Sequence, residues 1–307
     1  MSDLRAAAHD YLMVRRRLGF ELKHAGELLE DYLDFMDRAS AERITTELAL
    51  MWATSVQAHP HRWRRRLGVV RGLARYLSTI DPATDVPPDD LLPARLPRVA
   101  PYVYSPGEIE ALMAAARALS PPLRAATIET VIGLLAVSGL RAGEALGLDR
   151  ADVDLADGAL HVRAAKQNKQ REVPLHDTTT KALRQYSRRR DRSLPTSTTP
   201  AFFVSPQGSR LTSKAFNGTF AKLIREIGLE GHGERLRPRP HDVRHTFAVR
   251  TLIGWYRNGE DVDAQMPQLS TFLGHVDPAS TYWYLQAVPE LLAMISDRLE
   301  QLPEVLS

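Results

Sequence analysis

Apolar residues recur at helical spacing through the first eighty positions, and no stretch there alternates as a strand would. "HAGELLEDYLDFMDR" sets Leu28, Leu29, Tyr32, Leu33 and Met36 on one side of a helix and its acids on the other. "TTELALMWATSVQ" predicts a second helix, with Thr45 or Thr46 as the N-cap. A third lies in "HPHRWRRRLGVVRGLARYLSTI". The pattern then breaks. "DPATDVPPDDLLPARLPRVAP" is rich in proline, which disfavours helix and stiffens an extended linker. Helical spacing restarts at "SPGEIEALMAAARAL", where Ser105 caps, Pro106 takes the first helical position and Glu108 completes a capping box.

Beyond that point "ATIETVIGLLAVSGL" predicts a buried helix ending near Gly139. "DVDLADGALHVRAAKQNKQREVPLH" alternates in short pieces around polar turns, as a two- or three-stranded β-meander does. Helices are predicted at 177–190, 212–227, 242–256 and 268–274, then around "TYWY" and over "PELLAMISDRLEQL". The chain therefore divides into a helical region over 1–95 and a mainly α region with one small sheet over 101–307, each large enough for its own core.

Composition narrows the function classes. Hydrophobic residues make up 44% and charged residues 25%, as in a folded soluble protein. Cysteine is absent, which excludes disulfides, thiolate metal sites and a cysteine nucleophile. The N-terminus lacks the apolar core of a signal peptide, and the longest apolar run, in "TVIGLLAVSGL", is too short to span a bilayer. A soluble, cytoplasmic protein with no membrane partner is expected. The net charge is only +3, so distribution matters more than the total. Arg62, Arg64, Arg65, Arg66, Arg71 and Arg75 occur with no acid before Asp81. Such a run is often a solvated helix face, but in a nearly balanced chain it also suits a helix facing nucleic acid.

Four segments of the second region concentrate candidate chemistry. In "SGLRAGEALGL", Arg141 follows an apolar helix and needs an anion, which Glu144 could supply for purely structural reasons. "AAKQNKQREVPL" puts Lys166 and Lys169 in a turn of the meander. In "HDVRHTFA", His241, Arg244 and His245 fall at i, i+3 and i+4, on one helical face. A metal site on His241 and His245 is disfavoured by the cation between them. In "FLGHVD", His275 follows Gly274 at a helix end. "HVDPASTYWY" then brings two tyrosines, Tyr282 and Tyr284, either of which could simply pack.

Together and in this order the segments resemble the tyrosine recombinases, also called phage integrases, over about 101–290. That family's pattern is an Arg in a "GLR-x-x-E" turn, a hairpin Lys, a His-x-x-Arg pair, an "LGH" histidine and a Tyr nine residues on. Arg141, Lys166, His241, Arg244, His275 and Tyr284 occupy those places, with Lys169 an alternative to Lys166 because the hairpin lacks the usual flanking glycine. The insert-like "GWYRNGEDVDAQMPQ" departs from the usual length.

The resemblance implies a two-domain clamp: an N-terminal helical core-binding (SAM-like) domain that places the Arg62–Arg75 helix on duplex DNA, and a helical catalytic domain with a small antiparallel β-sheet. It implies a tyrosine nucleophile forming a 3′-phosphotyrosyl DNA intermediate, with Arg141 and Arg244 clamping the phosphate and Lys166 protonating the leaving 5′ oxygen. His241 and His275 share proton acceptance and hydrogen bonding to the phosphate. No metal, cofactor or ATP is implied. The implied partners are double-stranded DNA, a homotetramer or hetero-tetramer on synapsed sites, and partner recombinases, in a nucleoid-associated setting. A mobile-element role is favoured over type IB topoisomerase-like relaxation or an inactive DNA-binding accessory subunit. "PELLAMISDRLEQL", with Leu291, Leu292, Ile295 and Leu299 at helical spacing, could dock on its own domain or on a neighbour.

Overall fold

A computed structural model describes residues 2–93, 100–163, 170–229, 238–275, 277 and 279–300. Described residues up to 93 form one compact unit and those from 100 onward another. The molecule is mainly helical with one small antiparallel sheet, as the sequence pattern predicts. No described helix is long and apolar enough to cross a membrane.

The first unit contains α1 (Ser2–Arg17), α2 (Lys23–Arg38), α3 (Thr46–Thr54) and α4 (Pro60–Leu77). Leu29, Tyr32, Leu33 and Met36 of α2 are buried against Trp52, Leu67, Val70 and Leu73 of α3 and α4. Thr45 caps α3, its hydroxyl accepting from the Leu48 N–H. His59 caps α4, and Pro60 takes the first turn, where a missing N–H costs nothing.

The second unit opens with α5 (Pro106–Arg117), α6 (Pro122–Ser138) and α7 (Ala142–Gly147). At the start of α5 the Ser105 hydroxyl accepts from Glu108 N–H, and the Glu108 carboxylate accepts from Ser105 N–H at 2.6 Å. Strands β1 (Val153–Asp154), β2 (Ala159–Arg163) and β3 (Gln170–Pro174) pair antiparallel in that order, with Leu160 opposite Val173 and Val162 opposite Arg171. Helices α8 (Asp177–Ser193), α9 (Ser213–Glu226) and α10 (Pro240–Arg257) follow, then α11 (Val262–Leu273), α12 (Ala279–Ala287) and α13 (Pro289–Glu300). Helix α6 is apolar nearly all round and runs through the main core, where Ile128, Val131, Ile132 and Leu135 are all buried.

A second cluster joins the last four helices through Val249, Leu252, Met266, Leu269, Tyr284 and Leu291. Helix α11 begins six residues before the predicted start at 268. Asp261 caps it, accepting from Ala264 N–H, and Val262, Met266, Leu269 and Leu273 form its buried stripe. Pro267 lies inside the helix, on its exposed side. The "GWYRNGEDVDAQMPQ" stretch is thus largely the end of α10 and the start of α11.

Candidate active site

Two glycine turns organise the site. Helix α6 ends at Gly139 with φ +59°, and α11 ends at Gly274 with φ +67°; both are left-handed conformations that cost a glycine little. Both places are also crowded by neighbouring side chains. A Cβ on Gly139 would come within 2.5 Å of Phe247, and one on Gly274 within 2.6 Å of the Arg171 guanidinium.

Arg244 ties the turns together. From α10 it donates through Nη1 to the Gly139 carbonyl at 2.8 Å and through Nη2 to the Leu273 carbonyl at 2.7 Å. It is 1% exposed, and burial, followed by the Arg141 charge, lowers its pKa to about 10, so it stays a cation at neutral pH. Arg141, two residues beyond Gly139, donates through Nη1 to Glu144 at 2.8 Å and through Nη2 to the Gly274 carbonyl at 3.0 Å. The sequence left open whether Glu144 serves Arg141 structurally, and the two do form an ion pair. The Arg141 side chain nevertheless remains 40% exposed, and with His241, Arg239 and Asn217 it walls a cavity of about 620 Å³.

Behind Arg141 stands Arg171 of β3, a residue the sequence reading assigned no role. Its two terminal nitrogens donate to Glu144 at 3.2 and 2.8 Å, and its Nε donates to the Phe272 carbonyl at 2.9 Å. Burial alone would raise the Glu144 pKa. The Arg171 hydrogen bonds, the Arg141 N–H and both guanidinium charges outweigh it and hold the carboxyl at about 2. Glu144 is therefore ionised and shared between two arginines from different elements.

All three histidines of the site are shifted toward the neutral form. His241 lies exposed at the cavity wall, yet burial of its inner edge, then the Arg244 charge, lowers its pKa. Burial and nearby guanidinium charges bring His275 down to about 4. Burial, His241 and Arg244 bring His245 to about 3. The His275 ring meets the Thr281 hydroxyl through Nδ1 at 2.6 Å, which leaves Nε2 outside that bond.

The two tyrosines part company here. Tyr282 is 40% exposed. Tyr284 is 1% exposed, its hydroxyl lies 2.7 Å from His245 Nδ1, and its ring stacks 6.5 Å from that of His275. Arg141, His241, Arg244, His275 and Tyr284 thus converge around the two turns, while Lys166 and Lys169 lie outside the described residues. Among the described residues no group of three His, Asp or Glu could hold a metal ion. The sequence places His245 on one helical face with His241 and Arg244 but assigns it no role in the reaction.

The six arginines of α4 differ sharply. Arg66 is buried, with its guanidinium 3.8 Å from the Trp52 ring centroid and bonds to Asp31 and the Trp52 carbonyl. Arg64 donates to the Leu92 and Pro93 carbonyls, and Arg71 to those of Pro87 and Pro88. Arg71 and Arg75 both pair with Asp89. Arg62 and Arg65 are exposed with no such tie among the described residues.

The fold matches the Tn1549 transposon integrase in complex with circular intermediate DNA, at TM-score 0.63 and 19% identity over 95% of this chain and 99% of that one. It also matches a lambda integrase tetramer bound to a Holliday junction, at TM-score 0.59 and 17% identity over 90% and 78%. The chain belongs to the phage integrase family, whose model matches residues 103–290. A putative integrase/recombinase of Sinorhizobium fredii, y4rB, is 43% identical over 98% of both chains. The protein is accordingly an enzyme of site-specific recombination.

Proposed function

We propose that this recombinase breaks and rejoins duplex DNA through a covalent link between Tyr284 and a 3′ phosphate. The observation that carries the reading is the placement of the Tyr284 hydroxyl among the groups fixed by the two glycine turns, 2.7 Å from one histidine and beside a second. The phenolic oxygen attacks phosphorus, the bond to the 5′ oxygen breaks, and that oxygen leaves as a hydroxyl. The bond energy stays in the phosphotyrosine, so another DNA end can reverse the step without ATP.

Arg141 and Arg244 supply the charge that the two non-bridging oxygens require, as planar donors that never lose their protons at working pH. Ionising a phenol at pH 7 costs about 4 kcal/mol, which these cations offset in part. We assign His241, neutral and reachable from the cavity, as acceptor of the phenolic proton, which leaves its hydrogen bond to His245 only as the oxygen attacks phosphorus. A Thr281 hydroxyl donating to His275 Nδ1 puts the ring proton on Nε2, in the form that donates to a phosphate oxygen. Lys166 protonates the departing oxygen.

Duplex DNA is the partner, contacted on the first unit by Arg62 and Arg65, and synapsis of two sites takes four protomers. The transposon and lambda integrase complexes support assembly on DNA and a mobile-element role of the integration, excision or transposition type. The test is a duplex carrying a nick near the exchange site, which traps the covalent product. Tyr284→Phe is expected to abolish the adduct while binding persists, and peptide mapping is expected to place the wild-type adduct on Tyr284. An adduct lost instead with Tyr282→Phe would overturn the reading.

A further inference from the structure

We infer that His245 is a positioning residue for the reaction, accepting a hydrogen bond from the Tyr284 hydroxyl at Nδ1 and so fixing where the phenol sits. The inference rests on Tyr284 as the nucleophile, and it gives His245 a task separate from the phosphate contacts of Arg141, Arg244 and His275.

Three observations support it. The first is geometric: Nδ1 and the phenolic oxygen are 2.7 Å apart, and the rings meet edge to face at 5.4 Å. The second is rigidity. His245 follows Arg244 on α10, and that arginine is pinned to two carbonyls on different turns. The His245 ring lies edge-on to His241 at 4.5 Å and to Trp283 at 5.9 Å, so few rotamers are open to it. The third is protonation. A ring whose pKa is held near 3 stays neutral through the working range and, with its proton on Nε2, offers one lone pair at Nδ1. Such an imidazole directs a hydroxyl without draining its proton.

Position matters because the tyrosine arrives on a different element from the arginines. Helix α12 is nine residues long and starts beyond the Gly274 turn, whereas Arg244 and His245 share α10. The His245–Tyr284 bond spans 39 residues of sequence and fastens the nucleophile to the helix that holds the phosphate clamp. A displacement of about 1 Å at a reacting atom can cost about a hundredfold in rate.

The test compares three substitutions. An asparagine amide oxygen falls near the place of Nδ1, whereas His245→Gln and His245→Leu leave a carbon there. Single-turnover adduct formation on the nicked duplex is measured together with DNA affinity and chemical denaturation. The Gln and Leu variants are expected to form adduct at least about tenfold more slowly, and His245→Asn to recover to within about threefold of wild type, with DNA affinity unchanged throughout. Wild-type or faster rates in Gln or Leu would overturn the proposal, as would an Asn variant no faster than both. Should Leu fail to fold, the Asn and Gln pair, close in polarity, decides. Mapping the wild-type adduct separates the two claims. An adduct on another residue removes the nucleophile reading and this inference with it, while an adduct on Tyr284 with no Asn rescue removes only His245.

Discussion

Arg141 and Arg244 carry the same charge into the same site, yet removing them should cost different things. Arg244 is wholly buried, and its guanidinium is the donor for two carbonyls at the ends of two helices. Truncation to alanine leaves both acceptors unmet, each worth about 1–3 kcal/mol. Arg141 is partly exposed, and its anion, Glu144, keeps two bonds from Arg171 when Arg141 is gone. Arg141→Ala should therefore slow single-turnover cleavage by about two to three orders of magnitude, as loss of a charge-stabilising donor does, with a stability change of about 1 kcal/mol or less. Arg244→Ala should show a similar kinetic loss and also lower unfolding stability by about 2 kcal/mol or more. Parallel rate and denaturation measurements check this, and equal stability in the two variants would contradict it. Lysine should not substitute at 244, since one ammonium cannot reproduce a fork aimed at two carbonyls.

At the scale of elements, most helices announce themselves in the sequence because caps and periodicity agree. Ser105, Pro106 and Glu108 start α5, Gly139 stops α6, and the apolar stripe of α2 is the face that packs. What escaped prediction depends on partners far along the chain. Pro267 reads locally as a helix breaker, and only the burial of Val262 and Met266 beneath it shows that the helix runs through. Arg66 looks like its neighbours in a basic run, but Trp52 and Asp31 from two other helices bring it inside. Arg171 and His245 acquire their contacts only when a strand and a helix reach the Gly274 turn and α12. The Gly139 turn itself is open to test. Gly139→Ala would place a methyl group against Phe247 and Leu273 on left-handed backbone. A loss of roughly 1–3 kcal/mol in chemical denaturation is expected, with slower cleavage because Arg141 and the Gly139 carbonyl shift together. An unchanged midpoint would mean that the turn relaxes freely.

For the whole molecule, charge is the property most easily misread from a count. Six arginines in α4 suggest six phosphate contacts, but Arg66 faces the core, and Arg64, Arg71 and Arg75 fasten the segment from Pro87 to Pro93. Arg62 and Arg65 remain. Replacing both with alanine should lower the slope of log affinity against log salt by about 2, at roughly 0.9 per phosphate contact. Replacing Arg66 should instead lower unfolding stability and leave the slope alone. Binding titrations across a salt series distinguish these outcomes, and an unaltered slope in the Arg62/Arg65 double variant would remove the first unit's exposed arginines from the interface. The close approach of Gly274 to Arg171 reaches further, into how such a chain can change over time. A side chain at 274 would press on the Arg171 guanidinium, and displacing that group would leave Glu144 to Arg141 alone. A change at either position is felt at the other, so the two should vary together among descendants of this sequence.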